Sequence, residues 1–147
     1  TMPKPKIKDQ DIVEITKSAV QIFKSSNLKI KTTKDKIIWP IDRTQWIRVL
    51  TNLIQNAIQA VPENRKPNIN LHISLEKNKL KMNIEDNGTG IVKKDQLKIF
   101  EPKFTTKSAG MGLGLAIVKN IIDSLNGNIS FKSEPNKGTK FSIILKK

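Results

Sequence analysis

Two asparagines, Asn52 and Asn56, stand four residues apart in Asn52-Leu-Ile-Gln-Asn56. On a helix that spacing puts both amides on one face, about 6 Å apart along the axis. Their neighbours are largely apolar, so amides at the edge of such a face need partners. An amide oxygen is also a hard ligand suited to Mg²⁺, an ion that keeps several waters and takes substrate phosphates. The plainer reading is a pair of surface or capping asparagines.

Asp86-Asn-Gly-Thr-Gly90 follows directly on an alternating apolar run. A carboxylate at a strand end can accept a hydrogen bond from an exocyclic amine such as that of adenine. The glycines beside it allow close backbone approach. An ordinary glycine turn would look the same, whereas a calcium loop would need a different acidic spacing and a closing Glu. Gly110-Met-Gly112-Leu-Gly114-Leu precedes a second helical pattern. Glycines at a helix N-terminus let free backbone N–H groups close on phosphate. A dinucleotide fingerprint requires a strand immediately before the glycines, but 104–109 is polar, and no Gly-x-x-x-x-Gly-Lys-Ser/Thr run exists. Lys107 lies between the glycine clusters and could meet a terminal phosphate as a point charge; taken alone it reads as a solvated lysine. His72, the single histidine, falls on the polar face of an alternating strand and reads as a surface residue.

These groups need elements to position them. The spacing of Ile12, Ile15, Ala19, Ile22 and Phe23 predicts a helix over 9–26. Short strands are predicted over 28–32 and 36–39, the second ended by Pro40. Asp42 with Gln45 predicts a capping box and a helix from about Arg43 to Ala60, with Trp46, Ile47, Leu50, Leu53, Ile54, Ala57 and Ile58 towards the core. Ile69, Leu71, Ile73 and Leu75, then Leu80, Met82 and Ile84, alternate on either side of Lys77-Asn78 and predict a hairpin. A short helical stretch is expected over 93–100 and a helix over 113–125, stopped by Asn126-Gly127. Two strands, 128–133 and 139–145, flank the turn 134–138. The expected fold class is α/β (an α+β two-layer sandwich): a mixed, largely antiparallel sheet with about three helices on one face. Residues 1–8 read as a linker tail and 9–147 as one domain.

The 147 residues carry 27 Lys and Arg against 13 Asp and Glu, a net charge of +14. Only Arg43, Arg48 and Arg65 are arginine, and the lysines spread along the chain. Bidentate base readout favours arginine, and with no Tyr, five Phe and two Trp a stacking platform for bases is thin, so no nucleic-acid partner is expected. Without cysteine, disulfides and thiolate metal sites are excluded. No stretch reads as a signal peptide or reaches the roughly 18–20 apolar residues of a membrane span.

Taken in order, the motifs resemble those of sensor histidine kinases, in their catalytic and ATP-binding domain. Asn52-Leu-Ile-Gln-Asn56-Ala resembles the asparagine box, and Asp86-Asn-Gly-Thr-Gly90 the first glycine box. Ile99-Phe-Glu-Pro-Lys-Phe-Thr-Thr-Lys107 resembles the phenylalanine box, and Gly110-Met-Gly-Leu-Gly-Leu-Ala-Ile-Val118 the second glycine box. Gly138-Thr-Lys-Phe141 resembles the closing strand. The resemblance covers roughly 11–145, and the stretch between the glycine boxes looks most like the nitrogen-regulator type. It implies the Bergerat ATP-binding fold, with ATP and Mg²⁺ as ligands under a lid at about 92–112. It implies that Asn56 coordinates Mg²⁺, Asn52 supports the phosphates, and Asp86 receives the adenine amine, with Thr139 helping through water. Gly88, Gly90 and Ile91 would shape the adenine wall. Gly110, Gly112, Leu113 and Gly114 would wrap the triphosphate, with Lys107 as the cation at its tail. Many relatives carry a lysine three residues after the Mg-binding asparagine; Gln59 stands there here. In related gyrase, chaperone and mismatch-repair ATPases, a glutamate at the position of Asn52 activates water. An amide cannot act as that base, so slow ATP hydrolysis and phosphoryl transfer are expected. The acceptor histidine would lie on a separate dimerisation hairpin, with a response regulator downstream and the isolated domain a cytoplasmic monomer. The rival readings are an anti-sigma serine kinase or a mitochondrial-type dehydrogenase kinase on the same fold, or a nucleotide-binding module without transfer.

Overall fold

The computed structural model describes residues 4–101 and 114–147, except the side chains of 24–26. Strand β1 (Lys8–Asp11) pairs antiparallel with β3 (Ile38–Ile41) in a small ribbon. The expected helix over 9–26 is shorter than its apolar spacing implies. Asp11 ends β1 and caps α1 (Ile12–Val20), its Oδ1 accepting from the N–H groups of Val13 and Ile37, both at 3.1 Å. Past Val20 the chain tightens into a 3₁₀ stretch, Gln21–Ser26, in which Phe23 leaves helical geometry (φ −112°, ψ 23°). Ile22 therefore stands 71% exposed instead of joining the core. Pro40 lies within β3 rather than ending it. A two-stranded ribbon leaves each strand with one unpaired edge, where a residue without an N–H costs nothing.

Helix α2 (Arg43–Ala60) keeps its expected bounds. Asp42 Oδ1 accepts from Gln45 N–H at 3.0 Å. The reciprocal half of the capping box is not formed: Gln45 Oε1 is buried without a partner among the described residues. The other carboxylate oxygen of Asp42 instead takes the backbone N–H of Lys6 at 2.6 Å. Along α2, Trp46, Val49, Leu50, Leu53, Ile54 and Ala57 are buried, the stripe that a 3.6-residue period puts on one side. Trp46 also donates Nε1–H to the Thr16 hydroxyl of α1 at 3.4 Å.

The main sheet runs β2 (Leu28–Thr32), β4 (Ile69–Glu76), β5 (Lys79–Glu85), β7 (Gly138–Lys146), β6 (Asn128–Glu134). Among the described residues only the β2–β4 pair is parallel, which requires a crossover, and α2 lies in it. The remaining pairs are antiparallel. Register stacks Leu71, Ile84 and Phe141 in one row, and Ile73, Met82, Ile143 and Ile129 in the next, all buried. Lys29, Lys31, Lys81, Lys140 and Lys132 alternate with such residues and are exposed. After β5, a short α3 (Lys93–Gln96) precedes α4 (Gly114–Ser124). Asn126 (φ +55°) ends α4, and Gly127 N–H closes on Ile122 O at 2.9 Å. The architecture is the expected mixed, mostly antiparallel sheet with helices on one side. No helix among the described residues is long and apolar enough to cross a membrane.

Asp42 titrates below the ordinary carboxylate value. The Lys6 N–H is the chief cause; burial opposes it, and the Gln45 and Thr44 N–H groups add to it. A folded pKa below the unfolded value of 3.8 gives stability that is complete above that value and lost as pH falls through the lower one. Asp42→Ala is expected to cost about 1 kcal/mol near neutral pH, as a lost N-cap does. Denaturant titrations at about pH 6 and about pH 3 check this: the gap to wild type narrows in acid, and an equal gap at both would exclude a role for the charge.

Candidate functional site

Asn52, Asn56 and Ala60 recur every four residues along the flank of the apolar stripe of α2. At one end of this line, Asn52 donates Nδ2–H to Arg48 O at 2.8 Å. Its Oδ1 lies beside Gly114, the first residue of α4, so closely that a Cβ there would come within 2.9 Å of it. At the other end, Ala60 O accepts the N–H of Thr89 at 3.0 Å. Gly88 packs onto that carbonyl, where a Cβ would stand 2.5 Å from the oxygen. Asn56, half-buried, sits between the two ends. Helix α2 thus runs from the start of α4 to the 86–90 loop with both amides on the flank that joins them.

Asp86 follows β5 and is 6% exposed. Its Oδ1 accepts from the Gly88 N–H at 2.8 Å and the Thr139 N–H at 3.3 Å. Its own N–H donates to Thr139 O at 2.9 Å. Thr139 is buried and shares a hydrogen bond of 2.8 Å with the hydroxyl of Ser133, which accepts the N–H of Ile91 at 2.7 Å. Asp86, Thr139, Ser133 and Ile91 therefore form one connected polar wall. A hollow of about 280 Å³ borders it, lined by Asp86, Ser133 and Thr139 with Glu85, Lys132 and Lys140. Gly138 allows the wall to close: its φ is +133°, and a Cβ would run into Asp86 O. Gly90 (φ +76°) lies against the Glu134 carbonyl. Beyond it, Ile99 is buried and Phe100 sets its ring edge-on to Phe131 and Phe141, at centroid distances of 5.9 and 6.3 Å.

The structure groups Asp86, Gly88, Gly90, Ile91 and Thr139 at one end and sets Asn52 beside Gly114 at the other, with Asn56 between them on α2; the hollow beside Asp86 is lined by neither asparagine. Lys107, Gly110, Gly112 and Leu113, with most of the expected lid, lie outside the described residues. His72 is exposed on the outward side of β4. Sequence reasoning missed Ser133 and Arg65. Arg65 donates from one guanidinium nitrogen to the carbonyls of Asn87 (2.6 Å), Gly88 (3.0 Å) and Asn136 (3.5 Å). Its signal was its rarity among 27 basic residues. The described residues hold no cluster of three His, Cys, Asp or Glu side chains able to cage a metal. A cation here would need amide oxygens and a ligand's own oxygens. In sum, a carboxylate and backbone groups at one end can recognise a polar ring. A helix N-terminus and two amides at the other can hold an anion.

Residues 41–147 match the family described as Histidine kinase-, DNA gyrase B-, and HSP90-like ATPase. Sporulation kinase B of Bacillus subtilis (strain 168) is 36% identical over 125 residues, which are 84% of this chain and 28% of that protein. Signal transduction histidine-protein kinase AtoS of Escherichia coli (strain K12) is 41% identical over 104 residues, 71% of this chain and 17% of that protein. The solved catalytic domain of histidine kinase ThkA superposes with a TM-score of 0.85 at 29% identity, over 97% of this chain and 96% of that one. The chain spans less than a third of the curated relatives it matches, as the 28% and 17% show.

Gly138→Ala is expected to destabilise the fold by about 2 kcal/mol or more, through a disfavoured φ and a backbone collision. The urea midpoint reads this; an unchanged midpoint would show that β7 has room the geometry denies.

Proposed function

This chain belongs to the Histidine kinase-, DNA gyrase B-, and HSP90-like ATPase family as an ATP-binding catalytic domain of the sensor-kinase kind, and on that premise we propose that it delivers the γ-phosphate of ATP to a histidine on a separate helical hairpin. The observation that carries the proposal is the line Asn52–Asn56–Ala60, which ties the N-terminus of α4 to the Asp86 loop. In this reading the adenine amine donates to the Asp86 carboxylate, with Thr139 assisting through water. Gly88, Gly90 and Ile91 form the ring's wall. The triphosphate extends towards α4, where Gly110, Gly112, Leu113 and Gly114 wrap it and Asn52 supports it.

Mg²⁺, when bound, would supply positive charge that offsets the charge developing on the phosphate oxygens. Asn56 would be its ligand from this chain: a half-buried amide on the flank of α2, where the described residues hold no metal-caging cluster of His, Cys, Asp or Glu. Lys107 is the cation assigned to the phosphate tail. In transfer, an imidazole nitrogen of the acceptor forms a bond to the γ-phosphorus as the bond to the bridging oxygen breaks and ADP leaves. The chain contributes positioning and charge stabilisation. It supplies no base at Asn52, because an amide cannot take a proton from water. The partners that follow are the dimerisation and phospho-acceptor hairpin and, indirectly, a response regulator. The site faces the cytoplasmic ATP pool, whatever anchors the rest of the kinase.

At 100 times its dissociation constant, Mg-ATP is expected to stabilise the chain by about 2.7 kcal/mol. Asp86→Ala and Asn56→Ala should each remove most of that shift while the unliganded protein stays folded. With labelled ATP and a cognate hairpin, label should appear on the hairpin histidine while free ATP turns over slowly. A nucleotide-independent melting temperature, or ATP turnover matching the gyrase-type enzymes, overturns the proposal.

A further inference from the structure

We infer that Arg65 is a positioning residue for ring recognition, acting on Asp86 through a single peptide group. That peptide joins Asn87 to Gly88. Its carbonyl, Asn87 O, accepts from the Arg65 guanidinium at 2.6 Å. Its N–H, on Gly88, donates to Asp86 Oδ1 at 2.8 Å. A cation therefore stands at one end of the peptide dipole and a carboxylate at the other. Each hydrogen bond polarises the group that makes the next, so both strengthen together in a buried setting. Asp86 is 6% exposed and Arg65 is half-buried.

The same nitrogen of Arg65 also reaches Gly88 O at 3.0 Å and Asn136 O at 3.5 Å, while Asn136 N–H donates to Thr89 O at 2.6 Å. The guanidinium thus gathers the first glycine loop and the β6–β7 turn, and Asp86 and Thr139 stand on those two segments. The loop does not depend on Arg65 alone. The Asn87 side chain donates to Lys66 O at 2.9 Å and accepts from Asn68 N–H at 2.8 Å. These bonds keep the backbone in place without the guanidinium. What Arg65 adds is the orientation and polarity of the one peptide that aims the carboxylate.

This inference rests on the nucleotide reading, and the experiment separates the two. Arg65→Met removes the donors and keeps most of the volume; Arg65→Lys keeps a cation and donors. Calorimetry would measure ADP, GDP and inorganic triphosphate on wild type and both variants. Arg65→Met should lower the preference for ADP over GDP by about tenfold and leave triphosphate binding unchanged, while Arg65→Lys retains most of the preference. Without nucleotide, the Gly88 amide proton resonance should move upfield in Arg65→Met and stay near the wild-type position in Arg65→Lys. Equal weakening for all three ligands with a lowered melting temperature would make Arg65 a structural staple and overturn the inference. So would an unchanged Gly88 resonance. A wild-type chain that binds no ADP would remove the nucleotide reading, and ring recognition with it, even if the Gly88 resonance moves.

Discussion

The C-terminal end of α2 meets the loop after β5 through one carbonyl. Ala60 O is among the last carbonyls of its helix, which have no partner within the helix, and Thr89 N–H satisfies it. Gly88 lies where any side chain would strike that same oxygen. The contact fixes how far, and at what angle, the helix bearing Asn52 and Asn56 stands from the strand end bearing Asp86. The separation of amides and carboxylate is thereby set by backbone, which has few soft degrees of freedom, and not by long side chains.

The rest of the fold holds those two backbones still. Rows of alternating apolar residues across β4, β5, β7 and β6 pack beneath the buried stripe of α2, with Trp46, Leu50, Leu53 and Ile54 almost fully enclosed. The candidate site residues fall at the ends of these rigid elements or on the helix flank, where they are precisely held. The lysines that alternate with core residues on the strands take the solvent side, where Lys132 and Lys140 also line the hollow beside Asp86.

Members of this family share a scaffold but not a reaction, and position 52 shows how little separates them. An amide there can bond to phosphate and to the neighbouring Arg48 carbonyl, yet it cannot hold a proton taken from water. On the proposed reading, a chain built in this way positions a phosphoryl donor and takes its nucleophile from elsewhere. That fits a segment which makes up less than a third of the relatives it matches, as its 28% and 17% shares show.

Features governed by neighbours in the chain were legible from residues alone. The span of α2, its Asp42 cap, the Lys77-Asn78 hairpin, the stop at Asn126-Gly127 and Asp86 at a strand end all follow from periods and caps within a few positions. Strand β1, read as the end of a linker tail and the start of a helix, escaped because its partner β3 lies some 30 residues away and overrides local spacing. Ile22 escaped for a similar reason: a break in the helix at Phe23, and not its place in the pattern, decides where it points. Arg65 and Ser133 left no local pattern, since Arg65 reaches a carbonyl 71 residues on and Ser133 an amide 42 residues back. Sequence alone determined which groups could do chemistry and on what elements they ride. Only the tertiary structure decided which backbone groups aim them, because a hydrogen bond to a main-chain carbonyl depends on position in space and leaves no mark on the residue that offers it.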